Sequence, residues 1–162
     1  MRGVFLFVGG IVFGITIQFV MAQNKIDVDS SSIYELNHVG ISVPDLDEAV
    51  DYYRDTLGFP EAFRVKNDAG ATVLVYMQVS DTTFVELQPA NESRAPGLNH
   101  FGLHVKNMDD VRERFMTHGA NVMDIRGGST GAILSNVMDL NGHRIELSEY
   151  PPDSLQGKFL GL

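Results

Sequence analysis

The 162-residue chain contains no cysteine. That absence removes disulfides, zinc-thiolate sites, a thiol nucleophile and a lipidated cysteine anchor, so any metal has to be held by His, carboxylate or amide groups. Basic residues are scarce too: 12 Lys and Arg stand against 21 Asp and Glu, a formal charge of −9. Nucleic-acid binding requires clustered cations that displace counterions, and an anionic membrane surface requires the same, so both partners are disfavoured. What the composition does supply is 44% hydrophobic residues, enough to fill the core of one domain of ordinary size.

Charge is nearly missing from residues 1–22, where Arg2 stands alone and Val4 to Met21 is apolar apart from glycines, Thr16 and Gln18. Such a segment is a targeting element before it is fold. With Val20 and Ala22 at its end it reads as a signal peptide cut before Gln23, or, being close to the ~20 residues that span a bilayer, as an N-terminal membrane anchor. Either outcome puts the following domain outside the cytoplasm, periplasmic or secreted, and lets it meet the membrane only through this segment. Residues 23–32 are mostly polar and read as a flexible linker.

From residue 33 the chain repeats itself. Leu36-Asn37-His38-Val39-Gly40-Ile41-Ser42-Val43 returns 62 residues later as Leu98-Asn99-His100-Phe101-Gly102-Leu103-His104-Val105, and Asp47-Glu48 is answered by Asp109-Asp110. Each copy opens with strand-like alternation, Val39, Ile41 and Val43 on one face and His38, Gly40 and Ser42 on the other. A helix capped by Asp45 or Asp47 follows, with an apolar stripe of Ala49, Val50, Tyr53 and Leu57, ending at Gly58. Its counterpart spans about 109–118, with His118 near its end. Further strands are expected at about 72–79 and 83–88, then at 134–139 and 144–148, the last two joined by a tight turn at Asn141-Gly142 that carries His143. Each half therefore reads as β-α-β-β-β. Two such halves pair into one α+β domain over 33–150, a curved eight-stranded mixed sheet with helices on its convex face and a pocket on the concave one. The glycine-rich stretch 126–131 is expected as a mobile loop near the pocket rim, and 151–162 forms a C-terminal tail.

His38 and His100 occupy equivalent points of the repeat. Glu86, in Phe84-Val85-Glu86-Leu87, and Glu146, in Arg144-Ile145-Glu146-Leu147, lie at nearly the same period, each between apolar neighbours expected to face the helices. A lone strand His or Glu is ordinarily structural or solvated; a doubled spacing of all four is not. Two imidazoles and two carboxylates suit one divalent ion, Ni, Co, Zn, Mn or Fe. His104 shares the strand face of His100 and is a candidate acid-base group. Arg144, Tyr76 and Gln78 are candidates for contact with a small-molecule substrate.

These motifs, with Asp139-Leu140-Asn141-Gly142-His143-Arg144-Ile145-Glu146-Leu147, resemble the vicinal-oxygen-chelate superfamily, which includes glyoxalases, bleomycin-resistance proteins and extradiol dioxygenases. The order His, Glu, His, Glu is similar to bacterial glyoxalase I. Methylmalonyl-CoA epimerases of the superfamily typically carry Gln where this chain has Glu86, and their additional glutamate base would fall near Leu74. The resemblance implies a homodimeric glyoxalase-like isomerase or lyase acting on a vicinal-oxygen substrate through a metal-stabilised enediolate, with Glu146 or Glu86 as the base. Export weighs against glutathione as co-substrate. The alternatives it implies are an Fe(II) extradiol-type dioxygenase and a non-catalytic, drug-sequestering binding protein.

Overall fold

The computed structural model describes residues 32–162. The targeting segment 1–22, and all of the linker except Ser32, lie outside the described residues. Among the described residues no helix is long and apolar enough to cross a membrane.

The first copy comprises β1 (Ile33–Val43), α1 (Leu46–Asp51), β2 (Glu61–Lys66), β3 (Thr72–Gln78) and β4 (Phe84–Pro89). The second comprises β5 (Gly97–Val105), α2 (Met108–Thr117), β6 (Arg126–Gly127), β7 (Ile133–Met138) and β8 (Arg144–Glu149), and a helix α3 (Leu155–Leu160) follows. One mixed sheet takes all eight strands in the order β2-β3-β4-β1-β5-β8-β7-β6. At its centre β1 and β5 run antiparallel, and each is flanked by the last strand of its own copy in parallel. The two halves are thus related about the β1–β5 seam, the α+β arrangement expected from the repeat.

Local chemistry sets the helix ends. The Asp45 side chain accepts from the Glu48 N–H at 3.0 Å, and Asn107 caps α2 through the Asp110 N–H at the same distance. Gly119, at φ 88°, supplies the left-handed residue that stops the second helix. The first helix departs from its expected stripe. It widens into a π-helical turn over Tyr52–Thr56, which shifts the residues beyond it out of the 3.6 period. Leu57 is consequently exposed, and Phe59 packs beneath the helix in its place.

Alternation divides each strand between two environments. Val85 and Leu87 join Leu46, Val50, Val75 and Met77 under α1, while Ile145 and Leu147 join Val105, Val111 and Val137 under α2. Glu86 and Glu146 therefore face the other side. The third helix does not share the convex side with the first two. Phe159 packs against Phe63 and Phe84 at centroid distances of 6.1 and 5.4 Å, and Phe84 is on the Glu86 face, so α3 lies against the concave side. The glycine-rich stretch is not a free loop: the Gly128 N–H bonds to the Ala132 carbonyl at 2.7 Å, and the Thr130 carbonyl accepts from Leu155 N–H at 2.8 Å.

Candidate metal centre

The seam between β1 and β5 carries three register shifts, and two of them build the site. Leu36 pairs with Leu103 and His38 with Gly102, leaving Asn37 as an extra residue; Gly40 pairs with His100 and Ile41 with Leu98, leaving Asn99 as its counterpart. An extra residue breaks the up-down alternation, so two consecutive side chains can serve one site. The Asn37 Oδ1 lies 3.3 Å from His38 Nδ1, and the Asn99 Oδ1 3.1 Å from His100 Nδ1. An amide oxygen only accepts, so His38 Nδ1 carries its proton and its Nε2 is left with a lone pair turned into the concavity, and the Asn99 oxygen offers His100 the same acceptor.

Asn37 is itself locked. Its Nδ2 donates to the Thr82 carbonyl at 2.6 Å, and its Oδ1 also accepts from the Tyr150 hydroxyl at 2.6 Å. On the second copy, Arg144 reaches Asn99 Oδ1 and lies 2.7 Å from His100 Nδ1. A guanidinium only donates, so His100 Nδ1 stands between a donor, Arg144, and an acceptor, the Asn99 oxygen. Each imidazole also needs a glycine from the other copy. A β-carbon on Gly40 would overlap the ring of His100, and one on Gly102 would overlap the ring of His38. The glycine two residues after each His leaves room for the His of the opposite copy.

Glu86 and Glu146 complete the group. His38 Nε2 stands 3.1 Å from His100 Nε2, 3.8 Å from Glu86 and 3.6 Å from Glu146; His100 Nε2 stands 3.8 and 3.9 Å from the same carboxylates. One donor atom from each of the four residues falls within 4.8 Å of all the others, and all four residues are buried. Donors that share an ion at ~2.1 Å are separated by ~3.0 Å at right angles and ~3.4 Å at tetrahedral angles. The imidazole pair at 3.1 Å falls in this range, the His–carboxylate spacings of 3.6 to 3.9 Å lie a few tenths of an ångström above it, and small rotamer changes close the difference, so the residues present fit a divalent ion. Burial pushes His100 down to about 3, which keeps it neutral and able to ligate.

The two carboxylates are held differently. Tyr76, opposite Glu86 on β3, donates its hydroxyl to Glu86 Oε2 at 2.5 Å, and burial holds that hydroxyl far above its ordinary pKa. Asn136, opposite Glu146 on β7, makes no such bond; its Oδ1 is buried without a partner among the described residues. Glu146 is met instead by half-exposed Arg126 at 3.2 Å and by Ser148 Oγ at 3.4 Å. Burial raises the Glu86 carboxyl above the usual carboxylate range, with His38 opposing the shift and Glu146 adding to it. Burial acts the same way on Glu146, but contact with His38 and the fields of His100 and Arg126 outweigh it and hold this carboxyl below the usual range.

A cavity of about 250 Å³ opens over the cluster, with Leu74, Tyr76, Gln88, Leu134, Arg144 and Gln156 in its wall. Of the substrate-contact candidates, Tyr76 and Arg144 line it. Gln78 does not: it lies two residues further along β3, paired with Phe84. His104 is also not brought to the cluster. It is stacked between Tyr34 and Tyr150, at 4.6 and 4.4 Å, beside a separate pocket with Leu160 and Leu162. His118 bonds the Arg114 carbonyl, and His143 bonds Asp139 in its exposed turn. The residues with no assigned role from sequence were Asn37, Asn99, Tyr150, Arg126 and Gln156; for the two Asn the repeated Asn-His pair was the available signal.

Comparison with known proteins agrees with this geometry. Residues 37–134 match the model of the Glyoxalase/Bleomycin resistance protein/Dioxygenase superfamily. The ethylmalonyl-CoA/methylmalonyl-CoA epimerase of Cereibacter sphaeroides is 31% identical over 133 residues, covering 72% of this chain and 98% of that enzyme. The mitochondrial methylmalonyl-CoA epimerase of Mus musculus is 24% identical over 75% of this chain and 78% of its own length. Among solved structures, methylmalonyl-CoA epimerase from Mycobacterium tuberculosis superposes with a TM-score of 0.67 at 26% identity, covering 81% of this chain and 96% of that one.

Proposed function

The chain belongs to the Glyoxalase/Bleomycin resistance protein/Dioxygenase superfamily, and within it we propose a metal-dependent isomerase in which one carboxylate, Glu146, moves a proton at a carbon beside two neighbouring oxygens of a small substrate. His38, Glu86, His100 and Glu146 would hold the ion. When bound there, a divalent metal supplies Lewis acidity and a template for the two oxygens.

The observation that carries the proposal is the unequal restraint of the two carboxylates. Glu86 is pinned by the Tyr76 hydroxyl, so it serves as a fixed ligand. Glu146 has no such strand partner, and Arg126 steadies its outer oxygen from the half-exposed side. It can leave the ligand position, take the proton from one carbon and return it to the next. Because the cluster is buried, the abstracted proton is shielded from exchange with bulk water. The pinned Glu86 also fits poorly with an extradiol dioxygenase, which uses two His and a single carboxylate with open positions.

The similarity to epimerases favours a second reading, inversion at a carbon next to a thioester. That chemistry requires a proton carrier on each side of the stereocentre. The cavity wall presents Leu74 near the position where the resemblance puts the epimerase's second glutamate, and among the described residues the carboxylates in the wall are only Glu86 and Glu146.

The test is hydrogen exchange in D2O, with metal-reconstituted protein and two probes: a single enantiomer of methylmalonyl-CoA and the thiohemiacetal of methylglyoxal. Isomerisation of the thiohemiacetal, or α-hydrogen exchange of the thioester with retention, supports a single base. Inversion at the rate of exchange replaces the proposal with the two-base reading. No isomerisation of the thiohemiacetal, and neither exchange nor inversion of the thioester, by protein with stoichiometric metal counts against proton transfer altogether. The homodimer and the export of the domain belong to the same proposal, tested by sedimentation at micromolar concentration and by fractionation of cells expressing the full chain.

A further inference from the structure

The C-terminal helix α3 brings to the cavity an amide that the metal cluster does not use. Gln156 is 2% exposed, lines the cavity together with Glu86 and Glu146, and has an Oε1 atom that is buried without a hydrogen-bond partner among the described residues. A buried acceptor left unmade is destabilising, and such atoms concentrate where a ligand supplies the donor.

Its position is not an accident of a loose tail. Ser154 caps the helix through the Gly157 N–H at 2.9 Å, and the Leu155 N–H binds the Thr130 carbonyl of the glycine-rich turn at 2.8 Å. A β-carbon at residue 157 would collide with the Pro151 carbonyl, so Gly157 allows the chain to fold back this closely. Phe159 fastens the other end to Phe63 and Phe84. The residue before Gln156 is therefore tied to the second copy, and the helix is packed on the first. A side chain held this way presents its amide without further ordering when a ligand arrives.

We propose that Gln156 is a substrate-contacting residue whose amide oxygen accepts a hydrogen bond from a hydroxyl or N–H group carried next to the two chelating oxygens, so that the site selects substrates with such a donor. This rests on the metal-chelation reading above and narrows its substrate class.

The experiment uses the cobalt-loaded full chain and two hydroxamates with the same pair of chelating oxygens, acetohydroxamate and glycolohydroxamate, the second adding one hydroxyl. Binding is read from the visible cobalt spectrum, with no turnover needed. The native protein is expected to prefer glycolohydroxamate roughly five- to tenfold, the worth of one neutral hydrogen bond. In Gln156→Leu and the volume-matched Gln156→Met that preference should vanish while acetohydroxamate affinity is kept, and melting curves report whether each variant is folded. Equal binding of the two hydroxamates by the native protein overturns the inference, as does a preference that survives in either folded variant. Cobalt binding with neither hydroxamate perturbing its spectrum overturns the chelation reading itself, and the inference with it.

Discussion

Gly40→Ala tests the architecture of the metal centre without touching a ligand. The added β-carbon would occupy the space of the His100 imidazole, so the ring has to retreat by about 1.5 Å to reach ordinary carbon–carbon contact. Metal–nitrogen bonds tolerate only ~0.2 Å. Disturbing even an outer-shell partner typically costs ~10–100-fold in affinity, so displacing the ligand itself should weaken metal binding by at least about 100-fold. At saturating metal that is about 2.7 kcal/mol of lost stabilisation, or roughly 10 °C less metal-dependent gain in Tm for a domain of this size. The metal-free protein should change less, by about half as much at the middle of the expected range. Repacking costs ~1–3 kcal/mol, and removal of a glycine from the unfolded chain returns ~0.4–1 kcal/mol. The assay is calorimetric titration with Co(II) or Zn(II), alongside melting curves with and without metal. Gly127→Ala is the control, since a β-carbon there meets nothing within 4 Å. If Gly40→Ala binds metal within about threefold of the native chain, the imidazole is not seated as described and the reciprocal packing of glycine and histidine is wrong.

His38→Ala and His100→Ala each remove one neutral ligand and should lower both metal content, measured by elemental analysis, and turnover; undiminished metal content in either would exclude that residue from the shell. Glu146→Gln keeps an oxygen for the ion but no base, so metal should stay while the rate falls by about 10²–10⁴-fold, and Glu86→Gln should be milder; full activity in a metal-replete Glu146→Gln protein would make Glu146 a ligand only. Tyr150→Phe deletes the 2.6 Å bond to Asn37 and should weaken metal binding ~10–100-fold through His38, while Kd unchanged in titration would dissociate Tyr150 from the site.

Most of the site was legible because duplication makes it redundant: a His and a Glu recurring at one period in a chain without cysteine have few other meanings. Strand alternation then put each carboxylate opposite the aliphatic side chains that fill the two cores. The same rule overreached at His104 and Gln78. Sharing a strand face is not sharing a site, since four residues along a strand is about 13 Å, and His104 ends in an aromatic stack while His100 ends at the cluster. Asn37 and Asn99 were hidden for the converse reason. Alternation assigns neighbours of an inward-facing His to the other side, and only the bulges in the β1–β5 pairing bring them back. The placement of α3 on the concave face was not readable, because it depends on Phe63, Phe84 and the Pro151 carbonyl meeting across the fold.

The duplication also argues about chemistry, through where it is kept and where it is broken. Leu74 and Leu134 stand 60 residues apart, the spacing of Glu86 and Glu146, and both line the cavity. At these two positions the wall is thus matched and apolar, and neither leucine can exchange a proton with a substrate. One step further along the same strands the symmetry fails: Tyr76 restrains Glu86, and its counterpart Asn136 leaves Glu146 without a strand partner. A site needing two bases would place its second carrier in a wall, whereas a site needing one has to distinguish its two carboxylates from each other. The two leucine positions are alike and the carboxylates are not, which is the pattern expected of the proposed single base beside a fixed ligand.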